Sequence, residues 1–128
     1  MKLKVLLPEG IFLDAEVSRV AAEAENGAFV ILPRHVDWVT ALVPGILSYD
    51  AGGEEAFLAV DEGVLVKCGP EVLVSTRNAV GGESLGRLRR TVDGTFRQID
   101  ERERKARSIL ARFEADFIRR FIEIERYD

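Results

Sequence analysis

Residues 64–96 read VLVKCGPEVLVSTRNAVGGESLGRLRRTVDGTF, and the hydrophobic pattern changes inside this stretch. Up to Gly82 the apolar residues come in short runs separated by turn residues such as Gly69-Pro70. Beyond Gly82 there is no proline, and the apolar residues recur every three or four positions, as at Leu85, Leu88, Val92 and Phe96. Strands and helices differ in this period. The stretch therefore predicts a β module that ends near Gly82, with a helical tail after it.

Strand and turn signals continue through the whole of residues 1–82. Asn26-Gly27 favours a tight turn, and Asp50–Glu55 lies between two apolar runs as in a hairpin. Val17–Ala24 has alanines and charges typical of a helix, but the turn beside it favours a strand. Short strands with turns about every ten residues are typical of a β-sandwich or barrel.

The tail carries a heptad-like seam at positions 92, 96, 99, 103, 106, 110, 113 and 117, in which Glu103 is the misfit. We expect the aromatic stripe of the tail to be a packing face. Dense charge interrupts the seam between Gln98 and Arg107. Two arrangements fit: a single helix of roughly 40 residues, or an antiparallel hairpin that bends within this charged stretch or near Asp93-Gly94. The stripe consists of Phe96, Phe113, Phe117 and Phe121.

Charge is distributed unevenly along the 128 residues. Residues 1–82 carry six Lys/Arg and twelve Asp/Glu, a net charge of −6, whereas residues 83–128 carry twelve and ten, a net charge of +2. An acidic front half argues against binding to a nucleic-acid backbone, which requires concentrated positive charge. The basic residues of the tail are suited to an acidic partner surface.

Catalytic chemistry has little support in the sequence. His35 is the single histidine, so no histidine cluster can hold a metal, and no glycine-rich phosphate loop is present. Cys68 is the single cysteine, which excludes an intrachain disulfide. No apolar run approaches the roughly 20 residues that span a bilayer. We expect a cytoplasmic protein that is not an enzyme, requires no cofactor and inserts into no membrane itself.

Residues 26–45, NGAFVILPRHVDWVTALVPG, resemble the epsilon subunit of the F-type ATP synthase. That family shows a Gly-x-x-x-Ile-x-Pro-Gly-His-Ala-Pro-Leu-Leu-Thr run followed by Pro-Gly. The similarity extends to Leu7–Phe12, Val60–Val66 and Val72–Ala79, so it covers the β half. The matching residues of the central run are Gly27, Ile31, Pro33, His35, Thr40, Pro44 and Gly45.

Two departures from the family pattern affect what the resemblance implies. The loop Pro33–Asp37 lacks the Gly and the second Pro of the family run. In the Ile/Leu-Asp-x-x-Arg-Ala motif associated with ATP binding, Gly86 replaces the Asp and Arg90 replaces the Ala, and Arg89 alone remains. The sequence therefore predicts no bound nucleotide. It also suggests a variant lineage, such as the alternate, sodium-translocating form of the enzyme.

The resemblance implies a non-catalytic central-stalk subunit of the rotor. Residues 1–82 would be a flattened antiparallel β-sandwich of about ten short strands that binds the gamma subunit and the c-ring. Residues 83–128 would be a C-terminal helical hairpin or long helix that folds against the sandwich or extends toward the catalytic alpha/beta head and restrains ATP hydrolysis. Such a subunit lies at the cytoplasmic face of the cell membrane, which it meets only through the complex.

The resemblance also assigns site residues by position, and an exposed aromatic such as Phe29 or Trp38 would supply interface area. The expected rotor interface comprises Ala28, Phe29, Arg34, His35, Val36 and Trp38. The expected contacts to the catalytic head are Arg102, Arg104, Lys105 and Arg107. A different class of protein also fits the residue pattern: a free-standing β-sandwich binding module whose tail forms a coiled coil between copies of the chain.

Overall fold

Ten strands and two helices make up the part of the chain that the computed structural model describes, which is residues 1–97, 106 and 109–120. The order confirms the predicted β-domain and helical tail. The strands are β1 (Lys2–Leu7), β2 (Gly10–Glu16), β3 (Arg19–Ala24), β4 (Gly27–Ile31), β5 (Trp38–Leu42), β6 (Gly45–Ala51), β7 (Glu54–Val60), β8 (Gly63–Cys68), β9 (Glu71–Thr76) and β10 (Ala79–Gly81). Helix α1 (Leu85–Thr91) continues into a π-helical turn (Val92–Phe96), and helix α2 covers 109–120.

The strands form one continuous sheet that folds over into two layers. Its order is β10-β7-β6-β3-β5-β8-β9-β1-β2, with β4 attached to β3. Across the described strands every neighbouring pair is antiparallel, as predicted, except β1 and β9, which are parallel. The layers meet at β3, which pairs with β6 through three residues but with β5 only through Ala24 and Leu42.

The interior between the two layers holds the main hydrophobic core. Inward and outward side chains alternate along each strand, as β1 shows by burying Leu3 and Val5 on either side of the half-buried Lys4. The buried core residues are Leu3, Val5, Val17, Val20, Ala22, Ile31, Leu42, Leu47, Leu58, Val60, Leu65, Val72 and Val74. All of them precede Gly82, so the β-domain has a core of its own that does not include the helices.

Helix α1 begins at a serine cap and packs on the outer face of the layer that contains β6, β7 and β10. The Ser84 side chain accepts a hydrogen bond from the Arg87 backbone N–H at 3.3 Å, as a helix N-cap does. Leu88, Val92 and Phe96 are buried, and they pack on a face formed by Ile46, Phe57, Ala59 and Val80 of β6, β7 and β10. The π-helical turn continues the helix through Gly94 and ends at Phe96, so the chain does not leave the helix at Asp93-Gly94 itself.

Helix α2 packs through small residues on the outer face of the layer that contains β5 and β8. Ala111 and Ala115, four residues apart and therefore on one face of the helix, are buried against Val39 of β5 and Val64 of β8. Ile118 is partly buried in the same cluster. Both helices thus lie against the β-domain, as the folded-back arrangement requires. The charged stretch, where one of the alternative arrangements places its bend, lies outside the described residues, apart from position 106.

The predicted packing seam lies against the β-domain in α1 but not in α2. Val92 and Phe96 are buried, but Leu110, Phe113 and Phe117 lie exposed, the last two at 73% and 72%. Alanine side chains let a helix approach a flat sheet face more closely than phenylalanine does, so the alanine stripe of α2 takes the docked position. The large apolar side chains consequently face away from the β-domain.

Candidate functional site

The connection between β4 and β5, residues 32–37, is the centre of the predicted rotor interface. It forms a tight turn, because the His35 backbone N–H donates to the Leu32 carbonyl oxygen at 2.9 Å. The His35 ring lies back along the same turn, with Nδ1 2.7 Å from the Val36 carbonyl oxygen. The imidazole is therefore engaged with its own connection, and the side chains on either side of it face outward.

Two aromatic residues anchor this connection to the β-domain. The rings of Phe29 and Trp38 meet edge to face at 4.8 Å, and the His35 ring lies 5.7 Å from that of Trp38. Phe29 and Trp38 are only partly exposed and pack against the interior core. Both side chains are half-buried, so they supply less exposed aromatic area than expected. For Phe29 the reason is the alternation along β4, which points Phe29 and Ile31 inward.

Aliphatic side chains supply the exposed apolar area instead. Val30 is 51% exposed, Leu32 54% and Val36 73%. The outward side chains of β4 and of the connection together form what we call the β4–β5 surface: Ala28, Val30, Leu32, Arg34 and Val36. The sequence prediction did not include Val30 and Leu32. The signal for them was available, since alternation about an inward Ile31 places residues 30 and 32 on the outer side.

Three arginines attach the tail to the β-domain. Arg97 donates to the Pro44 carbonyl oxygen at 3.2 Å, and its guanidinium lies 3.9 Å from the Glu23 carboxylate. Arg119 donates to the Val39 carbonyl oxygen at 2.6 Å.

Arg112 forms a two-pronged ion pair with Glu25, in which Nε lies 2.6 Å from Oε2. The hydrogen bonds that Arg112 donates to Glu25, followed by the negative charge of that carboxylate, raise the pKa of Arg112 above its ordinary value. The tail carries net positive charge and residues 1–82 carry net negative charge. The pair of Arg112 with Glu25 shows that some of these opposite charges interact within the chain. Both partners are substantially exposed, so salt screens the pair and weakens it.

The remaining predicted site residues do not form a site that the structure describes. Arg102, Arg104, Lys105 and Arg107 lie outside the described residues. Gly86 and Arg89 are exposed on α1, whose first turn holds no acidic residue. Within the described ranges no group of His, Cys, Asp or Glu side chains could hold a metal ion. The same residues include no helix long and apolar enough to cross a membrane.

Comparison with known proteins gives a family match over the β-domain. The family described as "ATP synthase, Delta/Epsilon chain, beta-sandwich domain" matches residues 1–82. An "ATP synthase epsilon chain 2" of Cereibacter sphaeroides is 34% identical over 122 residues, which is 93% of this chain and 84% of that protein. A protein of the same name in Paraburkholderia xenovorans is 31% identical over 130 residues, covering 98% of this chain and 93% of its own.

Solved structures show the same fold at lower sequence identity. A chain in a cryo-EM structure of the Euglena gracilis mitochondrial ATP synthase, comprising OSCP, F1 and c-ring, superposes with a TM-score of 0.61 at 21% identity. The match covers 82% of this chain and 71% of that one. A chain of the Tetrahymena thermophila mitochondrial ATP synthase central stalk and c-ring gives a TM-score of 0.55 at 12% identity, covering 96% and 91%.

Proposed function

Because this chain belongs to the ATP synthase epsilon chain family, whose members are non-catalytic subunits, we propose that it is a central-stalk subunit of a rotary F-type ATP synthase. In this role it joins the gamma subunit to the c-ring and turns with them. It lies at the cytoplasmic face of the cell membrane as a peripheral subunit. The names of the structural neighbours, which include a central stalk with its c-ring, support this assignment.

The observation that carries the proposal is the β4–β5 surface. A subunit that transmits torque needs a stiff body and an adhesive face. The two-layered sheet gives the stiffness, and Val30, Leu32 and Val36 give an exposed apolar face next to the polar Arg34. Apolar side chains at the centre of a contact with polar ones beside them are the usual composition of a protein interface. We assign the gamma subunit to this face, together with the flanking Ala28, Phe29, His35 and Trp38.

Binding to gamma tests the proposal directly. The purified chain is expected to form a one-to-one complex with the gamma subunit of the same organism, measured by size-exclusion chromatography with light scattering. The alternative, a free-standing binding module with a coiled-coil tail, predicts homo-oligomers that ignore gamma. A chain that self-associates through its tail and does not bind gamma would exclude the stalk function.

We further assign to the helical tail a restraining role in ATP hydrolysis, with Arg102, Arg104, Lys105 and Arg107 as its contacts to the acidic alpha/beta head. The exposed Phe113 and Phe117 support this, since they give α2 a second apolar face for another partner. With Gly86 in the place of the family's Asp, nucleotide does not hold the tail.

The assembled enzyme decides on this role of the tail. An assembled enzyme that contains the chain truncated after residue 82 is expected to hydrolyse ATP faster than the enzyme that contains the full chain. Calorimetry of the isolated full chain is expected to detect no ATP binding below millimolar concentration. Equal hydrolysis rates, or micromolar ATP affinity, would contradict this part of the proposal.

The lineage of the complex is the last part of the proposal. Two relatives that match over most of their length both carry the name "ATP synthase epsilon chain 2", which supports an alternate set of ATP synthase genes. We place this chain in that set and propose that its complex moves sodium. Stimulation of ATP hydrolysis by Na⁺ in the purified complex is the check, and a complex indifferent to Na⁺ would contradict it.

A further inference from the structure

Lys67 of β8 is the bulkiest of the fully buried side chains that the structure describes, with 1% of its surface exposed. A buried ammonium group is unfavourable unless it is hydrogen-bonded or paired. The Lys67 ammonium donates to the His35 carbonyl oxygen at 3.2 Å and to the Gly69 carbonyl oxygen. Its charge is therefore directed at two backbone oxygens in two different connections of the sheet.

These bonds join the β4–β5 connection to the β8–β9 turn. Asp37 adds a bond in the opposite direction, because its Oδ1 accepts from the Gly69 backbone N–H at 2.9 Å. The bonds of Lys67 and Asp37 to His35 and Gly69 form what we call the brace. Two of its members, His35 and Asp37, flank the exposed Val36 in the sequence.

The connection needs such support, because its own backbone is weakly restricted. Pro33 is the only proline between Leu32 and Trp38, so ring closure fixes φ at one position alone. The hydrogen bond from His35 to Leu32 closes the first part of the turn. Beyond His35, the Lys67 ammonium and the Asp37 carboxylate hold the chain.

We infer that Lys67 is a positioning residue for rotor binding: it fixes the β4–β5 connection in the shape that presents Val36 and Leu32 to gamma. This inference rests on the proposed function. A surface fixed in its binding shape before contact loses less conformational entropy on association, so it binds more tightly. Methionine has a length similar to that of lysine and carries no charge, so a lysine that only filled space would be replaceable by it without an effect on gamma binding. Lys67→Met keeps most of the packing volume and removes the hydrogen bonds to His35 and Gly69.

The test compares Lys67→Met with Lys4→Met, which removes the same charge from an outward position on β1. We expect Lys67→Met to remain folded and to bind gamma about tenfold more weakly through lost preorganisation, with Lys4→Met unchanged. Trp38, the only tryptophan, lies beside His35 and reports on the connection. Its emission wavelength and acrylamide quenching are expected to change in Lys67→Met and not in the control.

Asp37→Ala provides a second route to the same result, since it removes the other half of the brace from a half-buried position. It is expected to weaken gamma binding and to alter Trp38 emission even if Lys67→Met does not fold. If Lys67→Met folds and binds gamma with wild-type affinity, the inference is overturned. If Lys67→Met does not fold, wild-type affinity in Asp37→Ala overturns it. Either result leaves the proposed function standing. A wild-type chain without affinity for gamma would refute the proposed function itself, and the Trp38 signal would still show whether the brace holds the connection.

Discussion

Gly63→Ala is expected to destabilise the protein severely. Gly63 begins β8 between two neighbours, pairing with Leu42 of β5 and Thr76 of β9. A Cβ atom added there would lie 2.1 Å from the Ser75 carbonyl oxygen and 3.1 Å from the Thr76 Cα. Both are backbone atoms of a strand that is itself paired on its other side, so they cannot move aside independently. Forcing extra volume into such a place costs about 3 kcal/mol or more of folding free energy.

Gly45→Ala is the matched control for this substitution. A Cβ at Gly45 would lie 2.8 Å from Glu23 Oε2, which is the far end of a flexible side chain. Neither glycine has a positive φ, so the two variants differ in what the new methyl group meets and not in backbone strain. Thermal unfolding is expected to show a Tm lower by more than about 10 °C for Gly63→Ala and by a few degrees for Gly45→Ala. Similar midpoints for the two would contradict the register of β8 and β9.

Local signals in the sequence predicted the parts of the fold that local structure determines. Asn26-Gly27 and Asp50–Glu55 are turns because of their own backbone preferences, and both connect antiparallel neighbours as expected. The parallel pairing of β1 with β9 joins strands that are distant in sequence, and no turn residue encodes it. The passage from one layer to the other at β3 depends on which strand faces are buried against each other. The sequence of a single strand does not reveal this.

The tail shows why helix periodicity alone could not identify the docked face. Helix α2 has two apolar faces, one of alanines at 111 and 115 and one with Leu110, Phe113 and Phe117. Hydrophobicity favours the second face, and close approach to the sheet favours the first. The docked arrangement therefore leaves the larger apolar area in water, where burial by a partner would be favourable by about 25 cal/mol per Å². An arm held mainly by alanine contacts and exposed ion pairs is suited to leave its site.

The candidate site was predictable only in the part that depends on local sequence. His35 and Val36 were predicted by their position in a resemblance that concerns the turn, and the structure places the Val36 side chain outward. Val30 and Leu32 were not among the predicted site residues, because those were assigned by position in the resemblance and not from the alternation along β4. The Lys67 brace could not be predicted, since it joins connections 32 residues apart in the sequence.

Val36→Glu is expected to weaken binding to gamma by about a hundredfold, the scale of an interface hot spot. Val36 is 73% exposed and belongs to the β4–β5 surface, so it would become buried when the rotor contact forms. A carboxylate at this position would have to lose its water without a partner arranged to receive it, which is costly in an interface. Titration calorimetry or surface plasmon resonance with gamma measures the change.

Ile11→Glu is the control, because Ile11 is also β-branched and is 64% exposed. It adds the same charge near the β1–β2 turn. That turn lies at the opposite end of the strands from residue 36, because Ser75 of β9 pairs with both Leu6 and Val64, whereas Trp38 pairs with Lys67 at the other end of β8. Both variants are expected to unfold at the wild-type midpoint, since neither residue is buried in the free chain. If Val36→Glu and Ile11→Glu change the affinity for gamma by the same factor, the effect comes from the added charge and not from its position. The rotor contact would then lie outside the β4–β5 surface. A loss confined to Val36→Glu would place gamma on the β4–β5 surface, where the aromatic anchor and the lysine brace converge.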